Sequence, residues 1–129
     1  MSTKDEMLRE LYIKNGLVKD EDTWVLTRGG KKTPIITRTG IEKIQANNNI
    51  HINYTVEAMN PEFIVVRAIA RKGDVVMESF GEAAPNNTRN EYPVAMAEKR
   101  ALSRVVLKME GFYKYGAYGE DESEAFKKD

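Results

Sequence analysis

At Ile50 the spacing of apolar residues changes from a helical period to a strand period, and at Pro93 it changes back. Between those points Ile50, Ile52, Tyr54, Val56 and Ala58 alternate with His51, Asn53, Thr55 and Glu57. The first set predicts one continuous apolar face and the second a wetter one. Asn60-Pro61 turns the chain. Phe63 to Arg71 is apolar on both sides at its start, which predicts a central strand. Lys72-Gly73-Asp74 turns the chain again into a third strand, Val75 to Phe80. Two short turns leave no length for a crossover, so these strands form an antiparallel meander.

The flanking segments predict an α+β fold whose helices cover one face of that meander. Thr3-Lys-Asp-Glu6 reads as a capping box. It opens a helix to about Lys14, with Met7, Leu8, Leu11 and Tyr12 inward and Asn15-Gly16 as its stop. Thr23–Thr27 and Pro34–Thr37 flank Arg28-Gly-Gly-Lys-Lys32, which reads as a β-hairpin, or as two strands with a flexible basic loop. Thr39-Gly-Ile-Glu42 reads as a second capping box. The short helix after it carries Ile41, Ile44 and Gln45, and Asn47-Asn-Asn49 closes it. Residues 83–92 read as a loop. Pro93 suits the first turn of a helix running to about Glu110, with Gly111 as its stop. Its predicted buried stripe is Val94, Ala97, Ala101, Leu102, Val105, Val106 and Met109. Residues 1–22 are then an N-terminal helix and connector, 23–115 one α+β core, and 116–129 an acidic, disordered tail.

Composition excludes several classes of function. With no cysteine and one histidine, His51, disulfides and thiolate metal sites are ruled out and a zinc site is disfavoured. No metal and no cofactor is expected. No apolar run reaches membrane-spanning length, and Met1–Glu6 lacks the apolar core of a signal peptide, so a cytoplasmic protein is expected. The 20 basic and 20 acidic residues cancel but are not evenly spread. Residues 1–22 carry four basic and six acidic side chains, 23–115 fourteen and nine, and 116–129 two and five. A basic middle with acidic ends is compatible with a polyanionic partner.

Lys99, Arg100, Arg104 and Lys108 lie on the last helix, and residues 100, 104 and 108 recur every fourth position, so they stack on one face. Such a row fits a chain of phosphates, or else is a solvated face. Arg28, Lys31 and Lys32 in the hairpin add either a phosphate-contacting turn or a merely mobile basic one. The glycine spacing of a triphosphate-binding loop is absent. No catalytic residues are assigned. His51 alternates with apolar residues on a strand, and Glu78 and Glu82 straddle a strand end, so neither predicts acid–base chemistry. Tyr113, Tyr115 and Tyr118 could stack on bases, although packing suits at least Tyr113.

The element order carries a resemblance. A short helix over Gly40–Asn49, a meander over Ile50–Phe80, Glu78 with Gly81, and a helix bearing Lys99-Arg100-Ala101-Leu102 occur in that order. Together they resemble the core of the Rad-fifty-two-type single-strand annealing proteins and their phage or mobile-element relatives. The resemblance covers about residues 38–112, and the N-terminal thirty or so residues are not matched. It implies that Lys99 and Arg100 line a groove holding single-stranded DNA backbone. The family places an arginine directly after the leucine. Here that residue is Ser103 and Arg104 follows, about 100° further round the helix. The same element order also resembles the double-stranded-RNA-binding fold. That fold has lysines at the start of its last helix, where this chain has Glu91, Tyr92 and Pro93.

The expectation is a non-catalytic protein that binds and anneals single-stranded DNA in recombination or repair. Three or four cations bind weakly, so a homo-oligomer, a ring or filament, would line one continuous groove. A single-strand-binding protein is a further candidate partner. The rival reading is a protein-interaction module whose basic helix docks an acidic partner or another subunit.

Overall fold

A computed structural model of the chain describes residues 3–60, 62–84 and 93–122. Most of the expected 83–92 loop, and Glu124 in the expected tail, lie outside the described residues. The elements are α1 (Lys4–Lys14), β1 (Thr23–Arg28), β2 (Lys31–Ile36), α2 (Arg38–Asn47), β3 (His51–Asn60), β4 (Phe63–Lys72), β5 (Val75–Ala83), α3 (Pro93–Met109) and β6 (Tyr118–Gly119). Short 3-10 turns span Tyr113–Tyr115 and Glu120–Glu122. The α+β class, the N-terminal helix, the hairpin and the antiparallel meander are all present.

Local chemistry sets the boundaries. The Thr3 hydroxyl accepts from the Glu6 N–H at 3.1 Å and starts α1. The cap of α2 is Thr37, not Thr39. Its hydroxyl accepts from the Gly40 N–H at 3.1 Å, so the helix begins two residues earlier than the capping-box pattern suggests. Gly29 and Gly30 both have positive φ, 57° and 81°, which closes β1 onto β2 through a two-residue turn suited to strand twist.

The meander has the order β3-β4-β5, with β4 central. Ile64, Val66, Ala68 and Ala70 of β4 are buried, and α3 packs on β4 and β5. Apolar residues of α1, α2, β4 and α3 share one core cluster with Phe112 and Ala117. The expected apolar face of β3 is only partly used. Ile50 is buried and Ile52 half-buried, but Tyr54 is 39% exposed and Val56 48%. The helix lies over the other two strands, and a bulge between Val56 and Ala58 shifts the register.

The inward side of α3 also differs from the expected stripe. Arg100, Ser103 and Leu107 are buried, whereas Val94 is 38% exposed and Leu102 and Met109 are half-buried. The helix is covered on two sides, by the meander and by the segment that follows it. That segment contributes β6, which pairs in parallel with β2 through Ile35–Tyr118 and Ile36–Gly119. The second sheet therefore has the order β1-β2-β6. Residues 118–122, expected in a disordered tail, are built into the fold by this pairing and by the contacts described below.

Polar clamps join the layers. Lys72 at the end of β4 donates to Glu110 at 3.0 Å and to Asn48 at 3.2 Å. Asn47 donates to the Asn15 carbonyl at 2.8 Å and Asn48 to its side-chain oxygen at 2.6 Å, which ties the ends of α1 and α2. Asp22 is buried and accepts from Lys43 at 2.7 Å and from the Val18 N–H at 2.8 Å. Burial opposes its charge, but the Lys43 and Val18 hydrogen bonds and the Lys43 charge outweigh it and lower its pKa.

Candidate nucleic-acid interface

The four-residue spacing on α3 turns out to match a strand. β5 is an edge of its sheet, so alternate carbonyls on its outer side lack a neighbouring strand. Arg100 donates to the Glu82 carbonyl at 2.8 Å, Arg104 to that of Phe80 at 2.8 Å, and Lys108 to that of Glu78 at 3.3 Å. Four helical residues rise about 6.0 Å and two strand residues about 6.7 Å, so the two rows run in step. The cationic row caps the free edge of the sheet.

Gly81 allows this closeness. A Cβ there would lie 2.0 Å from the Ala97 carbonyl oxygen and 2.4 Å from the Ala101 nitrogen, so α3 rests directly on the β5 backbone.

Each member of the row is engaged. Arg100 is 4% exposed and its Nε also donates to the Asp121 carbonyl at 3.3 Å. Arg104 forms a two-pronged pair with Glu82, at 2.7 and 3.0 Å, and meets Glu122 at 3.4 Å. The Arg104 hydrogen bond, against the opposing effect of burial, holds the Glu82 carboxyl below its usual range. Burial disfavours the Arg104 charge, but the Glu82 hydrogen bond and the Glu122 and Glu82 charges win and raise its pKa. Arg100 and Arg104 do not line an open groove as expected, because the β5 edge and the C-terminal turn take their donors, whereas Lys108 stays exposed with its contact at 3.3 Å.

The acidic turn lies against the same helix. The Ser103 hydroxyl donates to Asp121 at 3.1 Å, and Tyr113 donates to Glu122 at 3.0 Å. Glu120 accepts from the Arg38 N–H at 3.3 Å, at the start of α2. Burial raises the Asp121 pKa above the usual carboxyl range, although Ser103, Lys99 and Arg38 all pull it down. Tyr113 also packs on Tyr118, with ring centres 5.5 Å apart. These two rings serve the fold rather than standing open as base platforms.

Lys99 is half-exposed beside Asp121 and remains a surface cation of the helix. Arg38, missed in the sequence because nothing but its place after the true cap distinguishes it, is exposed beside the same carboxylate. Arg28, Lys31 and Lys32 sit together at the hairpin tip, paired Arg28–Lys31 and Thr27–Lys32 across the strands, and all three are exposed. Exposure rises along the hairpin from buried Thr23 and Ile36 to the tip. Five residues separate Ile36 from Lys31, so the tip stands about 17 Å beyond the buried base.

His51 lies exposed on β3, and no group of three histidines, aspartates or glutamates among the described residues could hold a metal ion. No helix among the described residues is long and apolar enough to cross a membrane. Comparison with known proteins gives no match: no family model, no curated protein and no solved structure is similar to this chain.

Proposed function

We propose that this protein binds single-stranded DNA without catalysis, and anneals it in recombination or repair as a homo-oligomer. The observation that carries the reading is the projecting β1–β2 ribbon with Arg28, Lys31 and Lys32 exposed at its tip. Lys99 and Arg38 lie near the base of the ribbon, where both face Asp121. Lys31 and Lys32 are lysines on a short turn, so they meet phosphates as point charges and leave bases accessible for pairing. The few cations per chain make assembly necessary for useful affinity.

Fluorescence anisotropy with a labelled single-stranded oligonucleotide tests this between about 50 and 200 mM salt. The Lys31→Ala/Lys32→Ala variant is expected to bind more weakly and to lose about 1.4 from the slope of log affinity against log salt, at about 0.7 per contact. Wild-type affinity in that variant at the lowest salt defeats the site. No binding by the unaltered chain favours the protein-interaction reading.

A further inference from the structure

The two edges of the meander are treated differently. The β5 edge is covered by Arg100, Arg104 and Lys108, so no further strand can pair there. The β3 edge spans ten residues, His51–Asn60, and has no strand on its outer side among the described residues. No lysine or proline protects it, and the bulge after Val56 is its one interruption. Tyr54, Val56 and Met59 stand 39%, 48% and 60% exposed along it. The sheet can therefore grow on one side only.

The chain also carries a strand suited to that side. β1 is the outer strand of the projecting ribbon, and its Val25 is 55% exposed. A two-stranded ribbon beyond its core is marginal alone and gains by joining a larger sheet. Charge favours the match at the end of the edge. Residues 23–36 hold Arg28, Lys31 and Lys32 and no acid. Glu57 is already paired with Arg67 at 2.8 Å and Arg38 lies near Tyr54, so the acid that meets the ribbon's cations is Glu62, exposed beside the β3–β4 turn.

We propose that the β1–β2 ribbon of a second copy of this chain adds to the β3 edge, with Val25 of the ribbon brought to the Tyr54–Val56 stretch. Ribbon and edge are different surfaces, so the contact is head-to-tail. It leaves one ribbon and one edge unsatisfied at each step and builds a ring or filament rather than a closed pair. The proposal rests on the homo-oligomer reading above and gives it an interface. It is independent of whether the ribbon tip binds DNA.

The test is solution mass by light scattering, without oligonucleotide, for Val25→Lys, for Val56→Lys and for their mixture. Both positions are half exposed, so circular dichroism and melting should match the unaltered chain. Val56→Thr, which keeps strand preference, serves as a second variant with retained assembly expected. The unaltered chain is expected to be larger than a dimer. Each lysine variant alone is expected to be a monomer, and the equimolar mixture a heterodimer that grows no further, because only one good ribbon meets one good edge. A monomeric unaltered chain overturns the proposal. So does a Val25→Lys chain that still dimerises, which would indicate two-fold pairing of β3 with itself. Lys31 and Lys32 serve both readings, so assembly is judged on the Val25 and Val56 variants, and a large unaltered chain that binds no oligonucleotide keeps the interface while defeating the DNA reading.

Discussion

Arg104 grips Glu82 through two parallel N–H···O bonds of 2.7 and 3.0 Å, joining the middle of α3 to the end of β5. The same guanidinium reaches the Phe80 carbonyl at 2.8 Å and the Glu122 carboxylate at 3.4 Å. One side chain thus ties strand, helix and C-terminal turn. Arg104→Ala is expected to lower unfolding free energy by about 2 kcal/mol, since it leaves the Glu82 carboxylate and the Phe80 carbonyl without this donor and Glu122 without its ion pair. Urea unfolding measures this, and an unchanged midpoint would show the contacts to be incidental.

The Glu82 carboxyl gives that clamp a pH dependence. Its pKa is lowered in the folded chain, so the unfolded chain takes up the proton first as pH falls. The stabilisation is complete above the ordinary glutamate value of about 4.3 and is lost as pH descends through the folded value. Glu82→Gln should be less stable than the unaltered chain at neutral pH by about 1 kcal/mol, because solvent screens part of the pair. The difference should close in acid, as followed by urea titrations from pH 7 to pH 3.

Gly81→Ala should be among the most damaging small substitutions in the chain. The added methyl would meet helix backbone, which cannot swing aside as a side chain can. A loss of about 3 kcal/mol or more is expected, with α3 displaced from β5. A melting temperature within a degree or two of the unaltered chain would contradict the close packing.

Lys99 and Arg100 should separate cleanly when replaced one at a time. Arg100→Ala removes the donor of the Glu82 and Asp121 carbonyls from a buried site, and a loss of about 2–4 kcal/mol is expected. Lys99→Ala alters a half-exposed side chain, and a change within about 0.5 kcal/mol is expected. A weakened DNA signal in a double variant would therefore report stability first. Parallel thermal melts of the two single variants distinguish the causes.

Truncation after Tyr118 should cost stability rather than simply uncover the basic helix. It removes the Asp121 partners of Arg100 and Ser103 and the Glu122 partner of Arg104 and Tyr113. A melting temperature lowered by several degrees is expected for a chain of this size. If the truncated chain melts unchanged and binds oligonucleotide more tightly at low salt, the turn is a displaceable cover instead.

Much of the fold was legible because the meander and α3 differ in period, and period survives without tertiary knowledge. The change at Ile50 located the strands, and the run of apolar residues on both sides at the start of β4 placed it centrally. What failed had a common cause, which is that one-dimensional spacing does not reveal what lies opposite. Arg100 read as part of a cationic face and Ser103 was left out of the expected buried stripe, yet a second layer made by β6 and the acidic turn buries both. Tyr54 and Val56 read as core, yet α3 lies over β4 and β5. The basic row on α3 was found correctly as a row. Its target was misjudged because edge carbonyls and phosphate oxygens ask for the same donors at similar intervals. The hairpin tip was found from its glycines and lysines alone.

The row of cations and the row of carbonyls behave like the two scales of a vernier. Each step of the helix falls short of each step of the strand by about 0.7 Å. Coincidence therefore holds over a short stretch and then decays, and the third contact, Lys108 to Glu78, is already the longest at 3.3 Å. A fourth pairing would drift further out of reach, even for a long side chain. The length of strand that one straight helix can guard is thus set by geometry rather than by supply of charge. An insertion lengthening β5 toward its start would lay bare an edge that no additional arginine on α3 could close.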